Sequence, residues 1–313
     1  MPNCLVTGGA GFIGSHLANA LVERNWKVRI LDNLSTGHLK NMDGFRDRVE
    51  FIEGSITDAE TARQCCEGVD VVFHEAALAS VPRSVDDPFQ SNHHNVDGTL
   101  TMLIAARDAG VKRFVYAASS SAYGDNPELP KTEDMHYAPM SPYAVNKYVG
   151  ELYLPVFDKL YGLSTVGVRY FNVFGPRQDP ASQYAAVIPI FITMALKGES
   201  PVINGDGSFS RDFTFIDNVV HANICAAEAE NPGGATVNVA CGDRVSLNEL
   251  YALIQKHAGT DVPAIHGPAR AGDVPHSQAD ISLARKIIGY EPVVEFATGL
   301  GRTVAWYKQS LPV

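Results

Sequence analysis

The sequence has no dense run of lysine or arginine, no Cys-x-x-C pair, and no apolar run approaching the ~18 residues of a membrane-spanning helix. Each absence excludes something. Lys and Arg number 25 against 35 Asp and Glu, a formal net charge of −10, which argues against nucleic acid or an anionic membrane as the main partner. A local basic pocket for phosphates remains compatible with that balance. The five cysteines (Cys4, Cys65, Cys66, Cys225, Cys241) are odd in number and fit no closed disulfide set, so reduced thiols are expected. His74, His93 and His94 lack metal-ligand spacing, and no metal is expected. The start shows no basic region followed by an apolar stretch and cleavage site. The expectation is a soluble, cytoplasmic protein.

What is present is a large apolar share, 45% of 313 residues, enough for one large domain or two unequal ones. The chain is organised around its opening. An apolar run, Cys4-Leu5-Val6, leads into Gly8-Gly9-Ala10-Gly11-Phe12-Ile13-Gly14, and a helical pattern follows. Gly8, Gly11 and Gly14 stand as G-x-x-G-x-x-G between strand and helix. That spacing allows a tight turn, close approach to a pyrophosphate, and close packing of helix on strand. Asp32 closes the next apolar run, Val28–Leu31, about where a ribose-binding carboxylate is expected. A carboxylate there favours NAD over NADP, whose 2′-phosphate it would repel.

Short apolar runs then alternate with helical patterns: strands near 49–54, 69–74, 114–118 and 164–170, and helices near 59–67, 92–109 and 143–160. Such alternation predicts an α/β fold, a doubly wound parallel sheet of the Rossmann kind. From Gly175 the texture changes to polar loops and more Pro and Gly. We read 1–172 as the NAD-binding domain, with 211–241 as a stretch that packs back on it. Residues 173–313 read as a smaller C-terminal substrate-binding domain.

Two constellations carry chemistry. Tyr143-Ala144-Val145-Asn146-Lys147 places a phenol and an ammonium one turn apart on a helix face. A tyrosine pKa of about 10 makes the phenol a poor base, and a nearby ammonium favours the phenolate. The pair suits proton abstraction from an alcohol while a hydride leaves its carbon. Ser119-Ser120-Ser121 follow the strand 114–118 directly, at the kind of strand end where ligands bind. Ser119 is the expected relay to Tyr143, and Ser120 and Ser121 are substrate contacts or structural.

Glycine motif, serine-rich strand end and Tyr-x-x-x-Lys, in this order, resemble the extended short-chain dehydrogenase/reductase family. Along nearly its whole length the chain is similar to the nucleotide-sugar 4-epimerases within it. The resemblance implies cofactor contacts from Phe12, Ile13, Asn33, Ser35, Gly37, Ile56, Ala76, Ala77 and Asn95, with Asp58 holding the adenine. It implies substrate contacts from Ser80, Asn172, Gln178, Ala186 and Val187. Arg211 and Arg270, the latter followed by Asp273, would meet a UDP-type diphosphate, which two guanidinium groups suit. By the family mechanism Tyr143 takes the proton of the sugar 4-hydroxyl, helped by Ser119, while the C4 hydride passes to NAD. Lys147 lowers the Tyr143 pKa, and the 4-keto sugar turns over before the hydride returns.

Dehydratases and decarboxylases of the family place an acid just after the strand-end hydroxyl. This chain has Ser120 and Ser121 there, which favours epimerisation. A nucleotide-sugar 4-reductase, a dehydratase or a UDP-glucuronate 4-epimerase is the alternative reading. Ser277 matches the position that walls the pocket near the C2 substituent. A small residue there resembles enzymes that admit an N-acetyl group, so UDP-GlcNAc and UDP-GalNAc are expected beside UDP-Glc and UDP-Gal. The resemblance also implies a homodimer, joined through a four-helix bundle.

Overall fold

The computed structural model describes residues 1–180, 186–268 and 274–311. Seven strands form its centre: Asn3–Thr7 (β1), Lys27–Asp32 (β2), Glu50–Glu53 (β3), Val71–His74 (β4), Arg113–Ser119 (β5), Ser164–Tyr170 (β6) and Thr236–Val239 (β7). They lie in the order β7-β6-β5-β4-β1-β2-β3, every neighbouring pair parallel. This is the doubly wound parallel sheet that the alternation predicts. Strand order reverses between β1 and β4, which leaves a crevice outside their carboxyl ends.

Helices Phe12–Glu23 (α1) and Ile216–Glu228 (α5) pack on one face of the sheet. Ala59–Cys66 (α2), Gly98–Asp108 (α3) and Pro142–Tyr161 (α4) pack on the other. Strands buried on both faces read as continuous apolar runs, as Cys4–Val6 and Val71–Phe73 do. The helix expected from residue 92 begins earlier. Pro88–Asn92 continues through a wide π-helical turn, His93–Asp97, into α3. Asp87 caps it by accepting from the Gln90 N–H at 3.0 Å, and Pro88 at the first position has no donor to lose.

The depth of α4 on the sheet has an identifiable cause. Ser141 caps the helix by accepting from Ala144 N, Pro142 opens it, and Gly162 ends it in the left-handed region at φ 69°. Midway, a Cβ on Gly150 would lie 2.2 Å from Tyr116 Oη. Only glycine lets α4 settle this close to β5, where the Tyr116 hydroxyl donates to the Lys147 carbonyl at 3.2 Å.

Between α4 and β6 the core holds an ion pair. Arg169 and Glu151 are almost fully buried and doubly hydrogen-bonded to each other. The guanidinium carbon lies 4.7 Å from the ring centroids of both Tyr123 and Tyr137. An isolated buried charge would cost several kcal/mol, so each partner is retained only with the other.

The second half is built of short pieces: paired strands 173–174 with 214–215, 210–211 with 245–246 and 202–204 with 265–267, and helices Val187–Lys197, Leu247–Ala258 and Phe296–Ser310. Asp212 ties them together. Its buried carboxyl accepts from the N–H groups of Cys241 (3.0 Å), Gly242 (3.0 Å) and Ala279 (3.2 Å). Isolated bridges join Lys131 to Ala279 and Ser210 to His276, so these loops hang from the carboxyl ends of the sheet.

Candidate active site

The β1–α1 turn forms the floor of a cleft of about 570 Å³ at the crevice. Gly8 has φ +69°, and a Cβ on it would lie 2.8 Å from Ala76 Cα at the end of β4. A Cβ on Gly14 would stand 2.2 Å from the Gly8 carbonyl oxygen. The turn is therefore closed tightly enough to bare its backbone to a ligand, above the positive end of α1. Gly11, Phe12, Ile13, Asn33, Ser35, Ile56 and Ala77 line the same cleft.

Asp32 lies on the cleft wall, mostly buried. One carboxyl oxygen accepts from Ala10 N at 2.9 Å and the other from Leu34 N at 2.8 Å. Burial pushes its pKa up, and the two backbone donors oppose that. The acid thus fixes the glycine turn and offers its remaining lone pairs to the cleft. A Cβ on Gly37 would meet this carboxyl and Ala10, each at 3.0 Å.

The structure gives three expected contact residues structural work outside the cleft lining. Asp58 caps α2 through Thr61 N at 2.8 Å. Ser80 caps the short helix Val81–Asp86, accepting from Arg83 N at 3.2 Å. Buried Asn95 holds the loop after β4 by both its amide atoms, from Leu78 N (2.8 Å) and to Leu78 O (3.2 Å).

The strand end after β5 and the first turns of α4 bring the reactive groups together. Ser119 Oγ lies 2.9 Å from Ser121 Oγ and hydrogen-bonds the Tyr143 phenol. Burial raises the Tyr143 pKa, and the Ser119 hydroxyl opposes the rise. Lys147 donates to Ala117 O at 2.8 Å and sits 5.0 Å above the Tyr116 ring. Burial lowers its pKa to about 8, against the fields of Glu75 and Glu151. The Lys147 ammonium is thus held by the sheet within the fields of Glu75 and Glu151, and Ser119 is the hydroxyl set against the Tyr143 phenol.

A second cavity, of about 390 Å³, lies alongside. Asn172, Val187, Phe191, Arg211 and Phe213 line it, and Ala186 lines both cavities. Gln178 borders the first, its Oε1 buried without a protein partner. Asn172, at φ 33°, donates to Asp212 O (3.0 Å) and to Ser277 Oγ (3.2 Å), which brings two residues predicted to touch substrate into direct contact. Arg211 donates to Ser210 O and Pro275 O, each at 3.0 Å. Arg270 and Asp273 lie outside the described residues. Among the described residues no group of three or more His, Cys, Asp or Glu is placed to hold a metal.

Sequence reasoning missed Glu75, Arg83 and His94, all of which line the cleft. Glu75 carried a signal: an acid directly after an apolar parallel strand occupies the end where ligands bind. Arg83 carried none, because its helix is too short to show a period.

These features place the chain in a family. The NAD dependent epimerase/dehydratase family matches residues 4–240, and the chain belongs to it. The UDP-glucose 4-epimerase of Mycolicibacterium smegmatis is 41% identical over 309 residues, covering 97% of this chain and 98% of the relative. The solved UDP-N-acetylglucosamine 4-epimerase of Methanobrevibacter ruminantium, in complex with UDP-N-acetylmuramic acid, superposes with TM-score 0.94 at 42% identity, covering 99% of both chains. The Thermus thermophilus UDP-glucose 4-epimerase, solved with NAD, gives 0.89 at 34% identity, over 99% of this chain and all of the other. NAD is the cofactor, and the glycine cradle fits it: the space that Cβ atoms at Gly8 and Gly14 would fill is taken by close-packed backbone.

A Gly11→Val variant tests the cradle. Its φ of −76° suits any residue, and a Cβ there would meet only Gly8 O, at 3.1 Å, a contact that a shift of a few tenths of an ångström relieves. Calorimetric titration should show NAD affinity reduced at least ~tenfold, because the new side chain projects where backbone must meet pyrophosphate.

Proposed function

We propose that the chain inverts C4 of a UDP-linked sugar through a 4-keto intermediate, as an isomerase. The observation that carries this reading is that the two cavities adjoin, sharing Ala186 in their linings. One is built on the glycine turn and the other on Asn172 and Arg211, so a cofactor and a nucleotide sugar would meet end to end. The names of the relatives and neighbours support the same activity. In this division the part from residue 173 onward holds the nucleotide sugar.

Bound NAD supplies the acceptor and donor of the C4 hydride. Tyr143 removes the 4-hydroxyl proton and later returns one to the other face of the ketone. Ser119, bonded to that phenol, relays the proton and orients the hydroxyl. Lys147 holds a positive charge at the same end of the cleft, which favours the phenolate. Arg211 and Arg270 neutralise the diphosphate, and Asn172 lines the same cavity as Arg211. Binding through the nucleotide leaves the sugar free to turn. Ser120 and Ser121 stand where elimination or decarboxylation would require a carboxylate, so the reaction stops at epimerisation.

We assign UDP-GlcNAc and UDP-GalNAc as substrates beside UDP-Glc and UDP-Gal. Two features support this: Ser277 is a small residue at the position that the family resemblance sets beside C2, and its hydroxyl accepts from Asn172, which lines the second cavity. Dimerisation through α3 and α4 is part of the proposal. Ile104 on α3 (38% exposed) and Leu152 (52%), Val156 (42%) and Leu160 (67%) on α4 are exposed apolar side chains suited to the same helices of a second copy. No helix among the described residues is long and apolar enough to cross a membrane, and we place the enzyme in the cytoplasm.

Tyr143→Phe should lower kcat by ~10²–10⁴, measured by product chromatography, while cofactor still binds. Full activity in that variant would remove Tyr143 from its role. Initial rates on the four sugars test the substrate assignment, with Ser277→Tyr expected to abolish turnover of the acetylated pair and spare the plain pair. Wild-type enzyme that turns over only the plain pair refutes it. Light scattering should give twice the chain mass, and Leu152→Glu should give the chain mass alone.

A further inference from the structure

One acid at the reactive end is unused by this chemistry. Glu75 follows β4 directly and lines the cofactor cleft beside Ala76. A Cβ on Gly8 would lie 3.2 Å from its carbonyl carbon, so its backbone is part of the floor under the glycine turn. Its Oε1 accepts from Tyr170 Oη at 2.7 Å, and Tyr170 Oη accepts from Asn223 Nδ2 at 2.7 Å. Asn223 is fully buried, and its Oδ1 has no partner. The carboxyl is thus anchored from β6 and α5 by a relay of polar groups reaching from the core to the cleft.

Lys147 faces Glu75 from α4. Two carboxylates act on its ammonium, Glu75 and Glu151, but Glu151 is already neutralised by Arg169. Among the described residues no cation is hydrogen-bonded to Glu75. We propose that Glu75 is a positioning residue that sets the relative affinity of the cleft for the two oxidation states of NAD, its carboxylate favouring the oxidised nicotinamide. The inference rests on the cofactor lying in this cleft with its reactive ring toward Lys147 and Tyr143.

The physical reason is charge. The oxidised ring carries one positive charge and the reduced ring none, so a nearby carboxylate lowers the free energy of the oxidised form alone. An enzyme that must return the hydride it borrowed gains from a site that holds the reduced cofactor less well. The ketone is then reduced again before it escapes.

Groups that face this acid set its pH response. Burial pushes Glu75 up to about 7, while Tyr170 on β6 and Lys147 on α4 oppose the rise. Lys147 in turn faces Glu151 on its own helix, the Tyr116 ring on β5, and His74 on β4, which burial holds neutral with a pKa down near 3. As pH rises, Glu75 gains its negative charge first and Lys147 loses its positive charge next. Both changes favour the oxidised cofactor.

The test strips the purified enzyme of cofactor and measures Kd for NAD and for NADH by calorimetry, from about pH 6 to about pH 8.5. Wild type should prefer NAD increasingly with pH. Glu75→Gln, which keeps a hydrogen-bonding side chain and removes the charge, should lose about tenfold of that preference at about pH 8. Glu75→Asp should retain it. The residual slope in Glu75→Gln should come from Lys147 alone, displaced to lower pH because the Glu75 charge no longer raises the lysine pKa. An unchanged NAD-to-NADH ratio in Glu75→Gln, even with both affinities weakened, overturns the inference and leaves Glu75 a packing group. Should that variant fail to fold, a wild-type ratio that does not vary with pH overturns it equally. A wild type that binds neither nucleotide overturns the cofactor assignment, and this inference with it.

Discussion

The reactive end depends on how closely the β1–α1 turn approaches the end of β4. Gly8 Cα is near enough to Ala76 that a single methyl group would overlap its backbone, and Gly14 is packed as tightly on the Gly8 carbonyl. With the turn held down, Asp32 reaches Ala10 N and Leu34 N together. The loop after β4 is then fixed from the far side by Asn95. Lift the turn, and the floor parts along the line where strand order reverses. The sheet topology gives the crevice its place, and the missing side chains give it its depth.

Most of this architecture was legible because it rests on short-range signals. The glycine spacing, the apolar parallel strands and the Tyr143–Lys147 interval each declare a local geometry, and the structure assembles them as expected. Long-range burial was not legible. Nothing in Ser80 or Asp58 distinguishes a ligand contact from a helix cap, since both roles need the same side-chain oxygen at a helix start. The same holds for Lys147, whose surroundings come from β4, β5 and α4 at once. The contact of Asn172 with Ser277 spans more than a hundred positions and has no sequence signal at all.

The distribution of charge shows how an acidic protein accommodates an anionic cofactor and an anionic substrate. Its net charge would repel both, yet the walls that face them carry backbone N–H groups, Arg83 and Arg211. Buried acids are assigned elsewhere: Asp212 to backbone donors, Glu151 to Arg169, Asp32 to the turn. Each is occupied by a structural partner and so does not oppose binding. Glu75 departs from this arrangement.

Gly150 has a bearing on how this scaffold changes over time. It lies three residues beyond Lys147 and touches no part of either cavity, yet it sets the distance at which the lysine can reach back to Ala117 O. Any larger residue would raise α4 off Tyr116 and withdraw the whole Tyr143–Lys147 face from the strand end together. Variation at this position is thus bound to act on catalysis as a rigid displacement. A substitution within the pocket can trade one sugar for another, whereas one here can only move the machinery as a block.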